Sequence, residues 1–245
     1  MNFDLVRNTN GVLIVDKPTE WTSHDVCSFI RKRFRIRKVG HAGTLDPLAT
    51  GALVVLLGKA TKQSIALSSC DKDYFGMMEL GVRTDSHDRD GNVLATAPWE
   101  SVTLETIREK AQAFTGEITQ VPPMVSALKQ GGVRLYKLAR QGQTVPRQGR
   151  QVTVYELRME KQEGPFVHFF SRVSKGTYLR TLINDLGESL GCLATLAQLR
   201  RVRCGDYGLD NSMTIDMLRQ CTNEEFLKKI YPIRSLSSHA HFKQS

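Results

Sequence analysis

The chain is poor in the features that mark several large functional classes. Its five cysteines, Cys27, Cys70, Cys192, Cys204 and Cys221, are scattered, odd in number and form no CxxC pair. That pattern excludes a disulfide framework and a cysteine-based zinc site. The six histidines show no HExxH spacing, and no GxxxxGK[ST] occurs, so neither a zincin-type metal site nor a P-loop is indicated. Ser86-His-Asp-Arg-Asp90-Gly91 looks superficially like the start of a calcium loop, but its twelfth position is Ala97 where that loop needs a glutamate. The expectation is a protein with no metal and no cofactor. Long apolar runs are also missing. The longest, Ala52 to Leu57, has six residues, where a membrane-spanning helix needs roughly twenty. The opening residues, MNFDLVRNTNG, lack the apolar core of a secretory signal. No membrane partner is expected, and the expected compartment is the cytoplasm.

Negative charge is in deficit. There are 34 Lys and Arg against 25 Asp and Glu, a formal net charge of +9. Such a surplus says nothing about fold but favours a polyanionic partner, nucleic acid first. The basic residues concentrate in three segments, His24 to Lys38, Lys129 to Arg150, and Arg200-Arg201-Val202-Arg203. Together they suggest a surface that tracks phosphates.

Patterning gives a coarse map. Val12 to Val15 and Ala52 to Leu57 read as buried strands, and Lys72 to Leu80 as extended. Ser23 is a plausible N-cap for a helix carrying Val26, Phe29, Ile30 and Phe34 on one face. Thr61 to Leu67 and Thr103 to Phe114 read as helices, and Thr84 to Gly91 as a loop. A short basic helix is expected from Arg134 to Gln141, closed by Gly142. Val152 to Met159 and Phe166 to Ser174 read as paired strands joined through Glu163-Gly164-Pro165. Tyr178, Leu182, Ile183, Leu186 and Leu190 mark a helix ended by Gly191. Strands and helices mix without a regular βαβ rhythm, which predicts an α+β fold around a mixed, mostly antiparallel sheet.

The most unusual segment is Gly40-His-Ala-Gly-Thr-Leu-Asp-Pro-Leu-Ala-Thr-Gly51. Its one carboxylate, Asp46, lies among glycines that let backbone approach a bulky ligand. Asp-Pro is also a common turn starter, so Asp46 alone reads as a turn cap, and it is the whole twelve-residue string that points beyond that. Arg180, where strand chemistry gives way to helix, is either a surface arginine or the partner of a carboxylate. Tyr74 and Tyr178 are packing residues or ligand contacts.

Taken as a set, these segments resemble the tRNA pseudouridine-55 synthases of the TruB type. The resemblance rests on the Gly40–Gly51 string and on Gly11-Val-Leu-Ile-Val-Asp-Lys-Pro18. Lys72-Asp-Tyr74, Pro122-Pro-Met-Val-Ser-Ala-Leu-Lys129 and Leu135-Tyr-Lys-Leu-Ala-Arg-Gln-Gly142 follow in the same order. Lys175-Gly-Thr-Tyr-Leu-Arg-Thr-Leu182 and Leu199-Arg-Arg201 complete it. It runs from about Gly11 to Tyr207. It implies the pseudouridine synthase fold and isomerisation of one uridine in the tRNA T loop. The C1′–N1 bond breaks, the uracil turns and a C1′–C5 bond forms, after the base has been flipped out of the loop. By resemblance Asp46 is the catalytic carboxylate, and attack on the sugar, attack on the base and removal of a sugar proton all remain open for it. Arg180 would pair with Asp46. Tyr74 would stack on the uracil and help move the C5 proton. His41 would fill the space left by the flipped base, Tyr178 and Leu199 would line the pocket, and Asp85 would be an acid near Arg180.

The resemblance further implies a catalytic domain over residues 1–207 and a short extension over 208–245, in place of a full C-terminal PUA domain. Tail-like composition begins at Ser235. The expected partner is the T arm of tRNA, bound by a monomer with no obligate protein partner. Two other readings stand beside this one: a guide-RNA-dependent synthase of the dyskerin type, and an RNA-binding or RNA-folding module that keeps the fold.

Overall fold

The computed structural model describes residues 3–124, 129–130, 133–134, 143 and 145–233. The predicted basic helix over 134–141 lies outside the described residues except for Arg134, which is in a short strand and not a helix; half of the 122–129 motif and the tail over 235–245 also lie outside them.

A short helix, α1 (Phe3–Arg7), leads into β1 (Gly11–Lys17), whose Val12 to Val15 are fully buried. Helix α2 (Ser23–Phe34) starts at the expected cap residue itself, so the cap lies one residue earlier. Thr22 caps it, accepting from the Asp25 N–H while Asp25 reaches back to the Thr22 backbone. Ser23 does other work, because its hydroxyl donates to the Leu45 carbonyl at 3.0 Å and accepts from the Leu45 N–H at 2.9 Å. The start of α2 is thereby tied to the Gly40–Gly51 string. β2 (Val39–Ala42) and β3 (Thr50–Leu57) follow. β3 is apolar on both faces because both are covered. Leu53, Val55 and Leu57 pack with Val26 and Ile30 of α2. Ala52, Val54 and Leu56 pack with Ala60 and Leu67 on the other side. The helix expected over 61–67 is a 3-10 segment (Gly58–Gln63) followed by a short α3 (Ser64–Ser68).

β4 (Lys72–Leu80) matches the extended prediction. A small hairpin, β5 (Val82–Thr84) and β6 (Val93–Thr96), precedes α4 (Leu104–Gln112), which Thr103 caps. Among the described residues β7 (Gly116–Gln120) is an edge strand, and β8 (Lys129–Gln130) pairs only with β9 (Val133–Arg134). β10 (Arg150–Glu163) and β11 (Phe166–Val173) form the expected hairpin. α5 (Leu179–Leu190) ends at Gly191 in the left-handed conformation. β12 (Ala194–Cys204) is a long strand, followed by β13 (Tyr207–Gly208), β14 (Met213–Thr214), α6 (Ile215–Gln220) and α7 (Asn223–Lys228).

Ten strands form one sheet in the order β14-β1-β3-β12-β4-β11-β10-β7, with β2 on β3 and β13 on β12. All its pairings are antiparallel except β1 with β14 and β3 with β12. The sheet is therefore mixed and largely antiparallel. The β3–β12 seam is short, pairing only Thr50 with Arg200 and Gly51 with Arg201. It joins two antiparallel halves, and the string carrying Asp46 enters the sheet there. Beyond residue 207 the chain returns to the first half. Met213 pairs beside Val15, and Ile215, Leu218 and Phe226 share the core of α2. Phe226 stacks on Phe34 with ring centroids 3.7 Å apart. Among the described residues no helix is long and apolar enough to cross a membrane.

Candidate active site

A cleft of about 810 Å³ opens beside the β3–β12 seam, within the size range of pockets that enclose a small ligand. Asp46 sits on its wall at the turn before β3, with its side chain about half exposed (48%). Two buried cations hold this turn. The first is Arg180, in the first turn of α5 and 5% exposed, whose Nε lies 3.3 Å from Asp46 Oδ2. Its Nη1 donates to the Ser86 carbonyl at 2.9 Å and lies 3.7 Å from Asp88 Oδ2. One guanidinium thus lies between two carboxylates, of which Asp46 faces the cleft and Asp88 is buried. Burial pushes the Asp88 carboxyl up, opposed by the Ser86 hydroxyl bond and by Arg180.

The second cation is Lys17 at the end of β1. It is fully buried, and its ammonium donates to the carbonyls of Pro18 at 2.8 Å, Trp21 at 2.5 Å and Pro47 at 3.3 Å. Burial pulls its pKa down to about 8, partly offset by Asp46. The bond to Pro47 fixes the residue that follows Asp46.

Tyr74 lies on β4 opposite Arg201 of β12 and is buried. Burial pushes its phenol up, opposed by the neighbouring Arg201 guanidinium. The ring centroid of Tyr178 is 5.8 Å from the Arg180 guanidinium carbon. Its backbone is pinned by Gln120, which accepts from the Tyr178 N–H at 2.8 Å and donates to its carbonyl at 3.0 Å. Leu199 and His41 are half-buried and also line the cleft. Burial, then the charge of Arg201, holds the His41 imidazole below its usual pKa. The His41 Nδ1 is buried with no hydrogen-bond partner among the described residues.

One predicted residue is elsewhere. Asp85 is exposed and does not line the cleft. It closes its own loop by accepting from the Asn92 N–H at 3.0 Å and the Asn92 side-chain amide at 2.9 Å. The acid beside Arg180 is Asp88, three residues on. The basic run 200–203 also needs correction as a phosphate-tracking surface. Arg200 is held bidentately by Asp16 at 3.0 and 2.7 Å, Arg203 by Asp73 at 2.7 and 3.0 Å, and Arg201 is buried at 1% exposure. Arg150 and Lys175, by contrast, are exposed at the cleft itself. Among the described residues no group of three or more His, Cys, Asp or Glu is gathered that could hold a metal ion.

The arrangement presents one accessible carboxylate, a guanidinium that orients it, and a buried phenol on the cleft wall. Residues 31–179 match the family described as TruB family pseudouridylate synthase (N terminal domain), and residues 180–236 match tRNA pseudouridylate synthase B C-terminal domain. The chain is 50% identical over 207 residues to the tRNA pseudouridine synthase B of Geotalea uraniireducens (strain Rf4), covering 84% of this chain and 67% of that protein. It is 44% identical over 227 residues to the tRNA pseudouridine synthase B of Opitutus terrae, covering 93% of this chain and 94% of that one. Its fold is similar to a chain in the crystal structure of a Cbf5-Nop10-Gar1 complex, with a TM-score of 0.71 and 32% identity. That match covers 94% of this chain but only 62% of the other. With both family matches spanning the cleft and relatives well above 30% identity, the chain belongs to the TruB family of pseudouridylate synthases.

Proposed function

We propose that the protein converts uridine 55 in the T loop of tRNA to pseudouridine, acting as a monomer without guide RNA or cofactor. The observation that carries this reading is the Asp46–Arg180 pair on the wall of a cleft of nucleotide size. The reaction is an isomerisation. The C1′–N1 bond breaks, the detached uracil turns, C5 bonds to C1′, and the C5 proton is lost while N1 gains one. No atom enters or leaves overall. A glycosidase places two carboxylates across the scissile bond, one of which activates water or attacks. Here the second carboxylate, Asp88, is buried and engaged by Ser86 and Arg180. It is in no position to activate water on the far side of a sugar ring, which favours isomerisation over hydrolysis.

In this reading the flipped uridine enters between Tyr74, Tyr178 and Leu199, with Asp46 at its C1′–N1 bond. His41 occupies the gap left in the loop. Arg150 and Lys175 meet phosphates at the cleft mouth. The test is pseudouridine mapping in a T-arm minihelix after incubation with the purified chain. Conversion by the unmodified protein is expected. Asp46→Asn is expected to abolish product while retaining RNA binding, and full turnover by that variant would remove Asp46 from the chemistry. The likeness to Cbf5, solved in a complex, raises a guide-dependent reading. A purified chain that converts bare transcript unaided rejects it.

A further inference from the structure

Arg201 is the most costly residue in the site region. Its guanidinium is 1% exposed, and among the described residues no carboxylate comes within ion-pair distance of it. A buried charge without a counter-charge is unfavourable unless dipoles replace its water. Two backbone carbonyls take that place. Nε donates to the Ala52 carbonyl at 2.7 Å and Nη2 to the Gly43 carbonyl at 3.1 Å, and Tyr74, its partner in register on β4, lines the same cleft. Gly43 and Ala52 are the two ends of the turn that carries Asp46. The backbone is arranged for this. Arg201 pairs with Tyr74 across β4 and with Gly51 across β3. A Cβ on Gly51 would sit 2.1 Å from the Arg201 carbonyl. Lys17 and Lys72 are also buried nearby, so the guanidinium adds positive charge to an already cationic floor. A hydrophobic residue of similar size would be cheaper if only packing were required.

We propose that Arg201 is a positioning residue that locks the Tyr74 hydroxyl and both ends of the Asp46 turn into one rigid unit. The carboxylate and the phenol come from strands on opposite sides of β12, and this side chain touches the supports of both. The inference rests on the isomerase reading for its kinetic test. A misplacement of about 1 Å in a reacting group is enough to lower a rate about 100-fold.

Arg201→Met, Arg201→Lys, Tyr74→Phe and the double variant Arg201→Met/Tyr74→Phe would be compared in the full chain. The measurements are single-turnover pseudouridine formation on the T-arm minihelix and RNA affinity. Arg201→Met is expected to lower the rate about 100-fold with affinity within about threefold, and Arg201→Lys to recover part of the loss. In the Tyr74→Phe background the same change should cost less than about tenfold, because part of its effect runs through the hydroxyl already removed. A loss repeated in full in that background, or one accounted for by affinity, overturns the proposal. A crystal structure of Arg201→Lys provides the readout that does not depend on turnover. Displacement of the Tyr74 hydroxyl or of the 43–52 turn supports the proposal, and unchanged positions of both overturn it. An unmodified chain that makes no pseudouridine refutes the isomerase reading, and Arg201 is then judged on that structure alone.

Discussion

His87 is half-buried within reach of the Arg180 charge. It holds a left-handed backbone at φ 64°, and its Nδ1 is 3.3 Å from the Thr181 hydroxyl. Burial, then the charge of Arg180, pulls its pKa to about 4, with Glu188 opposing and Arg147 and Arg83 assisting. The unfolded chain titrates the same ring near 6.5. Between these values the unfolded state binds more protons, so stability rises with pH across the window and is lost as pH falls from about 6.5 to about 4. The effect is on the order of 2 kcal/mol after allowing for the ring's partial exposure. Asparagine tolerates the same backbone. His87→Asn should therefore flatten the dependence of urea-unfolding free energy on pH within that window, relative to the unmodified chain. An equally steep dependence would assign the acid sensitivity to other groups. At this scale Asp46, Tyr74 and Arg180, which the fold brings to one cleft, were legible as candidates because the motifs carrying them are distinctive. Asp88 was not, because Asp85, Asp88 and Asp90 lie in a loop with no periodicity to say which acid turns inward. Arg201 was hidden in a basic run, although the alternation of a strand separates the inward Arg201 from the outward Arg200.

The seam between β3 and β12 is the element on which the site depends. Gly51 enters it at φ 98°, and its missing Cβ lets the backbone of Arg201 approach. Gly51→Ala must both strain that dihedral and part the two strands. The expected cost is roughly 3 kcal/mol or more, with loss of activity because the Asp46 turn re-enters the sheet at this point. Gly164, in the β10–β11 hairpin, also has positive φ, at 59°, but a Cβ there would meet nothing within 4 Å. Gly164→Ala should cost about 1 kcal/mol and leave turnover intact. Equal losses from the two substitutions, measured by thermal melting and minihelix conversion, would show that close packing at the seam is unimportant. The long strands and helices were legible from their apolar spacing, as β4 and α5 illustrate. β2 and β7 were not, because each is short and mixes polar with apolar residues. The seam itself was invisible, since strand order depends on pairings remote in sequence, such as Gly51 with Arg201. The docking of Phe226 on Phe34 was equally remote.

For the whole molecule the question is which cations meet RNA. The net charge of +9 suggests a basic surface but does not locate it. Folding takes some of these cations out of play, with Lys17, Lys72, Arg180 and Arg201 buried and Arg200 and Arg203 tied to Asp16 and Asp73. Arg150 and Lys175 are different. Both are exposed at the cleft, and among the described residues neither has a carboxylate within ion-pair range. Each phosphate neutralised releases counterions and steepens the fall of log affinity with log salt by about 0.7 to 0.9. Replacing both Arg150 and Lys175 by Gln should make that slope shallower by about 1.5 for a T-arm minihelix. The rate at saturating protein should change much less, because neither residue approaches Asp46 or Arg180 closely enough to pair with it. Arg200→Gln removes the same formal charge as either single change, yet it should leave the slope nearly unaltered, since that guanidinium is already neutralised by Asp16. Net charge alone would make each single substitution equivalent. A titration of affinity against salt for Arg150→Gln, Lys175→Gln and Arg200→Gln therefore separates charge placed by the fold at the cleft from charge merely counted in the sequence, and equal slopes for all three would return the argument to composition.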